Sequence, residues 1–129
     1  MADDCVIRVT GLKKSFPKGK EVLHVLKGID MEIRSGEVIG YLGSNGAGKS
    51  TTVKIMCGLL EDFEGEVDVL GYDVRKNDIE VKKRIGYIPE NAVMYEHLTP
   101  MEYLEFIGAM YGLERKEVNR KVDELLSLF

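Results

Sequence analysis

Gly36-Glu-Val-Ile-Gly-Tyr-Leu-Gly-Ser-Asn-Gly-Ala-Gly-Lys-Ser-Thr-Thr52 decides how this 129-residue chain is read. Gly43 to Ser50 fits the phosphate-loop pattern G-x-x-x-x-G-K-[ST]. By residue frequencies the bare pattern arises by accident in roughly 1% of chains of this length, so the flanks carry the weight. Before the loop, Val38, Ile39, Tyr41 and Leu42 form the short apolar run of a strand buried on both faces of a parallel sheet. After it, residues 51–60 read as a helix, with Val53, Met56, Cys57 and Leu60 three and four apart. Gly43, Gly46 and Gly48 let the backbone turn with its N–H groups inward, and the helix N-terminus adds partial positive charge. Lys49 then reaches the β/γ-phosphates of a polyphosphate, and the Ser50 hydroxyl is placed for Mg²⁺.

Composition sets bounds around that loop. The hydrophobic fraction of 44% and charged fraction of 31% are ordinary for a globular domain, and the length allows one real core. A formal net charge of −4 argues against a general nucleic-acid or anionic-membrane surface. Cys5 and Cys57 form no metal-ligand or redox spacing, a usage that suits a reducing cytosol. The first residues, Met-Ala-Asp-Asp, lack the basic-then-apolar form of a signal peptide, and no apolar run approaches a membrane span.

Upstream of the loop, Val6 to Thr10 reads as a strand, Phe16-Pro17-Lys18-Gly19-Lys20 as a basic turn, and Val22 to Leu26 as a second apolar stretch. Ile29, Met31 and Ile33 alternate with Asp30, Glu32 and Arg34, a half-exposed strand that Ser35-Gly36 turns toward the loop. The opening therefore predicts antiparallel strands delivering the chain into a buried parallel one. Downstream, Val67, Val69 and Leu70 predict a short strand ending at Gly71, residues 78–84 a surface helix, and Ile85 to Ile88 an apolar run stopped by Pro89. Thr99-Pro100-Met101-Glu102 is a helix start with Thr as N-cap, Pro at the first position and Glu closing a capping box. Met101, Leu104, Ile107, Gly108 and Tyr111 mark one face; a second helix from near Arg115 carries Val118, Val122, Leu125, Leu126 and Phe129 on its buried side. Plain packing explains such a stripe. The chain stops in mid-pattern, and the only downstream match to the apolar strand with a terminal acid that phosphate-loop enzymes use for Mg²⁺ is broken by Pro89, so the chain reads as truncated.

Together these residues resemble the ATP-binding cassette (ABC) ATPases over nearly the whole chain. The loop Gly-Ser-Asn-Gly-Ala-Gly-Lys-Ser-Thr-Thr is that family's form. Arg84-Ile85-Gly86-Tyr87-Ile88-Pro89-Glu90 is similar to the segment carrying its Q-loop residue, and Leu98 to Gly112 to the first helix of its helical subdomain. Lys14-Ser15-Phe16 falls where the family places an aromatic that stacks on adenine.

The resemblance implies an α/β phosphate-loop nucleotide-binding domain, truncated, with a partial ATP-binding core over residues 1–95 and the beginning of a helical subdomain over 96–129. It implies MgATP held by Phe16, Gly43, Ser44, Asn45, Gly46, Ala47, Gly48, Lys49, Ser50 and Thr51, with Ser50 and Glu90 toward the metal. Two positions depart from the usual pattern. Glu90 stands where Gln is usual, as in cassettes of drug-export type, and a carboxylate binds Mg²⁺ more strongly than an amide carbonyl. Phe16 stands where Tyr is usual, and stacking needs only the ring face.

The family's signature peptide, catalytic Glu and switch His have no counterpart in these residues, so no catalytic residue is assigned and the chain alone is expected to bind MgATP without turning it over. The partners implied are a second ATPase subunit and a separate permease docking beside Glu90 to Leu98 and driven for export. The implied place is the cytoplasmic side of a membrane, held there through that permease. A non-transport adaptor or regulator of the same family, or an inactive remnant, is the alternative.

Overall fold

A computed structural model of the chain describes residues 4–91 and 95–128. Phe129, expected on the buried side of the last helix, and Ala92 to Met94, within the expected docking segment, lie outside the described residues. The chain forms two compact units, Met1–Tyr87 and Ile88–Phe129.

Among the described residues the first unit is built on a four-stranded antiparallel sheet in which the first strand of the chain lies between the second and the third, and the fourth pairs on the third. β1 (Cys5–Lys18) and β2 (Glu21–Arg34) form one long hairpin, so the segments read separately at Val6–Thr10, Val22–Leu26 and Ile29–Ile33 are parts of two continuous strands. The basic turn is correspondingly shorter than expected. Phe16, Pro17 and Lys18 still pair with Leu23, Val22 and Glu21, and only Gly19-Lys20 turns the chain. Pro17 is tolerated near the strand end because the ladder is about to stop there. β3 (Glu64–Val69) joins the other edge of β1, and the two-residue β4 (Tyr72–Asp73) pairs back on it.

Helix α1 (Lys49–Met56) and helix α2 (Asp78–Lys82) complete the core. Val9, Leu12 and Leu26 of the hairpin, Val67 and Val69 of β3, and Phe63 and Val74 beside it close over Ile55 of α1 and Val81 of α2. Burying each such side chain is worth about 1.5–3 kcal/mol before the entropy of ordering is subtracted, which makes this cluster the main reason the unit holds.

One expectation about an element fails. Residues 38–42, read as the buried central strand, carry no strand hydrogen bonding, and Val38 and Leu42 are 99% and 92% exposed. An apolar run gains burial only from the strands beside it, and none of the four strands described here pairs with this one. The antiparallel strands upstream stand as read, and the helix downstream is present but covers Lys49–Met56 in place of the expected 51–60, because Cys57 caps it and Gly58, with φ of 65°, turns the chain out of the helix. Ile85 to Ile88 likewise runs without regular structure, with Ile88 exposed.

The second unit is a helical hairpin of α3 (Pro100–Met110) and α4 (Arg115–Leu126). The capping box at its start is complete. The Thr99 hydroxyl accepts from the Glu102 N–H at 3.3 Å, and the Glu102 carboxylate accepts from the Thr99 N–H at 2.8 Å and its hydroxyl at 2.7 Å. The helices meet where Gly108 faces Val118: a Cβ added at Gly108 would lie 2.3 Å from Val118 Cγ2. Val118 and Val122 are buried, whereas Met101, Leu104, Tyr111, Leu125 and Leu126 of the expected stripe stay exposed.

Two consequences of the capping box can be measured. Thr99→Ala should lower stability by about 1 kcal/mol, read as a shift in the urea midpoint. Hydrogen bonds from the Thr99 hydroxyl, then from its backbone N–H, hold the Glu102 carboxyl below its usual value. The carboxylate's contribution is therefore full above the unfolded-state value and is lost as pH falls through the lower folded one, so the Thr99→Ala deficit should shrink in acid.

Candidate functional site

The loop between residues 43 and 48 is shaped by backbone conformations that only some residues adopt. Gly46 and Gly48 have φ of 82° and 87°, in the left-handed region, while Gly43 does not. The Ala47 N–H donates to the Ser44 carbonyl at 3.1 Å, closing the loop, and Gly48 is the N-cap of α1. From there the Thr52 N–H and hydroxyl both donate to the Gly48 carbonyl, at 2.9 and 3.0 Å, so the first turn of α1 is tied to the loop. The Tyr41 hydroxyl reaches Thr52 Oγ1 at 3.3 Å.

Gly48 is also where the loop meets the sheet. A Cβ there would stand 2.4 Å from Leu26 Cδ2 and 3.3 Å from both Val25 Cγ1 and the Val25 carbonyl. Two neighbouring strand residues ordinarily point to opposite faces, yet Val25 and Leu26 both reach the loop. The register explains it. Lys14 pairs with Leu26 and Ser15 with His24, so Val25 has no partner and forms a bulge. A bulge re-aims a side chain, and here it turns both residues onto the phosphate loop. Periodicity gives no warning of this, and reading the sequence missed Val25 and Leu26 as supports of the site.

Lys49, the first residue of α1, donates from Nζ to the carbonyls of Gly43 at 2.5 Å and Ser44 at 2.8 Å. Among the described residues no carboxylate pairs with it, so its charge is met only by loop carbonyls. Ser50 follows, exposed, its hydroxyl making no hydrogen bond among the described residues. Ser44, Asn45 and Ala47 are exposed and Thr51 half-buried, all within the same loop and first helical turn. A cation without a counter-carboxylate, free backbone N–H groups at a helix start and a free hydroxyl together suit a polyphosphate with a hard divalent cation.

Phe16 is half-buried near the tip of the hairpin. It pairs with Leu23, two residues along β2 from Val25, which places its Cα on the order of 9 Å from the part of the strand that supports Gly48. Glu90 belongs to the second unit and is exposed. No cluster of three or more His, Cys, Asp or Glu suited to a metal occurs among the described residues. Cys57, the C-cap of α1, is half-buried, and that burial pushes its thiol above its ordinary value, away from a reactive thiolate.

Known proteins are similar to this chain. The family described as "ABC transporter" matches residues 26–129. The ABC transporter ATP-binding protein NatA of Bacillus subtilis is 35% identical over 125 residues, covering 96% of this chain and 51% of that protein. The linearmycin resistance ATP-binding protein LnrL of the same organism is 37% identical over 121 residues, covering 94% and 38%. Among solved structures, an ATP-binding subunit of an ABC transporter superposes with a TM-score of 0.76 at 34% identity, over 95% of this chain and 49% of that one. The ATP-binding cassette MJ0796, solved as a dimer in a post-hydrolysis state bound to ADP and Pi, gives 0.81 at 25% identity, over 94% and 56%. The chain thus spans about half the length of such relatives, or less. The match across residues 26–129, more than half of the chain, makes it a member of the ABC transporter ATP-binding family.

Proposed function

We propose that the chain is the nucleotide-grasping part of the ATP-binding subunit of an ABC transporter, holding MgATP to power transport through a separate permease. The observation that carries this reading is Lys49: a helix-start cation whose only partners among the described residues are the Gly43 and Ser44 carbonyls, both of the loop itself. Phosphate oxygens are better acceptors than those carbonyls, and arriving phosphates meet the helix dipole and loop N–H groups at the same point. The loop Gly43 to Thr51 holds the phosphates, and Phe16 stacks on adenine. Ser50 gives one oxygen to Mg²⁺, which ordinarily keeps several waters and takes few protein ligands. Glu90 reports the state of the nucleotide to the permease, which docks beside Glu90 to Leu98, and a second copy of the subunit completes the working assembly. Export is the direction favoured by Glu90 in place of Gln. The subunit is attached through its permease at the cytoplasmic face; no helix among the described residues is long and apolar enough to cross a membrane.

Calorimetric titration of MgATP and of magnesium tripolyphosphate tests the reading. Both should bind, and Phe16→Ala should weaken MgATP by about 1 kcal/mol, roughly fivefold, while leaving tripolyphosphate unchanged. Absence of saturable binding by either ligand would overturn the proposal. Equal loss on both ligands would remove Phe16 from its role at the base.

A further inference from the structure

Lys14 is the least expected residue of the first unit. It follows Leu12 and precedes Phe16 at a spacing of two, so the three share one row of β1. Leu12 is fully buried and the Lys14 side chain is only 6% exposed. A lysine is almost never buried to that degree unless it is paired. Its Nζ donates to the Asp62 carbonyl and, at 3.0 Å, to the Asp62 carboxylate, in the segment between α1 and β3. The same ammonium stands over the Phe16 ring, 4.9 Å from its centroid.

Its backbone sits at an equally telling place. Lys14 pairs across the hairpin with Leu26, the residue whose Cδ2 closes on Gly48 of the phosphate loop. One row of β1 therefore touches the ring proposed for the base on one side and the support of the phosphate loop on the other. Anchoring the segment after α1 needs only the two hydrogen bonds to Asp62. The position over the ring is an additional feature.

We infer that Lys14 is a positioning residue for base recognition, its ammonium holding one face of Phe16 so that the opposite face is presented to a purine at a set distance from the phosphate loop. The inference rests on the nucleotide reading above. Two physical effects follow from the placement. The ring is ordered before the base arrives, so less freedom is lost on binding. The cation also draws π density toward itself, leaving the far face less negative and better matched to the electron-rich face of adenine.

The test uses the whole chain and two probes, MgATP and magnesium tripolyphosphate. Lys14→Met keeps the stem and removes the charge. It should weaken MgATP about three- to tenfold and leave tripolyphosphate within about twofold, and Lys14→Arg should restore MgATP binding. In a Phe16→Ala background, Lys14→Met should have no further effect on MgATP, because the residue acts through the ring. Equal losses on both probes, or an undiminished loss in the Phe16→Ala background, would overturn the inference and leave Lys14 as an anchor for Asp62 alone. If Lys14→Met does not fold, Asp62→Ala carries the same comparison: a selective loss of MgATP affinity supports the role, and an unselective one refutes it. Lys49→Ala is read alongside. Tripolyphosphate binding that ignores Lys49 is a failure of the phosphate-loop reading, and a loss of base selectivity with that dependence intact is a failure of the Lys14 role only.

Discussion

Replacing Gly65 with Ala should remove a large share of the stability of the first unit. Gly65 has φ of 94°, and a Cβ there would stand 2.5 Å from the Thr10 carbonyl oxygen, 2.6 Å from that of Gly11 and 2.7 Å from the Gly11 carbonyl carbon. All three atoms are backbone, and they belong to the stretch where the β1–β3 register shifts between Thr10 and Lys13. A side-chain neighbour could rotate away; these cannot move without parting the ladder. Left-handed strain of about 1 kcal/mol and overpacking of up to about 3 kcal/mol sum to about 4 kcal/mol. That is a large share of what a small domain has to spare, since the whole commonly amounts to about 5–15 kcal/mol. Gly46→Ala is the matched control. It has a similar φ of 82° with nothing within 4 Å, so only the strain of about 1 kcal/mol applies. Urea denaturation followed by circular dichroism separates the two. Equal midpoints would mean that the sheet yields at this crossing, and that the close approach of β3 to β1 does not define the fold.

Lys49→Ala should produce the largest functional loss. In the structure its ammonium is held by the Gly43 and Ser44 carbonyls, and a bound polyphosphate offers it stronger, charged acceptors. Removing one partner of such a charge pair costs about 3 kcal/mol, roughly a hundredfold in affinity for MgATP. Tripolyphosphate affinity should fall by a similar factor, because the contact is to phosphate and not to the base. The variant should retain its secondary structure, since the lysine is outside the buried cluster and the helix start is also held by Thr52 on Gly48. A Lys49→Ala protein that folds and binds MgATP as tightly as the parent would show that the lysine serves only to brace its own loop.

The sequence by itself determined the loop and the helix starts, whose causes are local. The phosphate-loop pattern places Lys49 at a helix start because glycine at 46 and 48 supplies left-handed backbone at the required spacing. Thr99-Pro100-Met101-Glu102 builds its capping box from atoms three residues apart, so the sequence is enough to read it. The antiparallel opening was legible from alternation, although three separate stretches proved to be two long strands, because strand continuity depends on a neighbour that accepts the ladder through Pro17 and the bulges.

Only the tertiary structure decided what lies beside what. Residues 38–42 have the composition of a buried strand and are exposed, since burial belongs to the neighbours and not to the run itself. Val25 and Leu26 both reach Gly48 because a bulge breaks the alternation that sequence patterns assume. Lys14 shows the same division. Its spacing from Leu12 and Phe16 places a charge on their row of β1, but the ammonium can stay there only because Asp62, forty-eight residues away in the chain, comes back to meet it. Capping and turn formation are settled within a few residues. Register, burial and the pairing of a buried charge are settled by whichever distant segment packs against them, and that is written only in the folded chain.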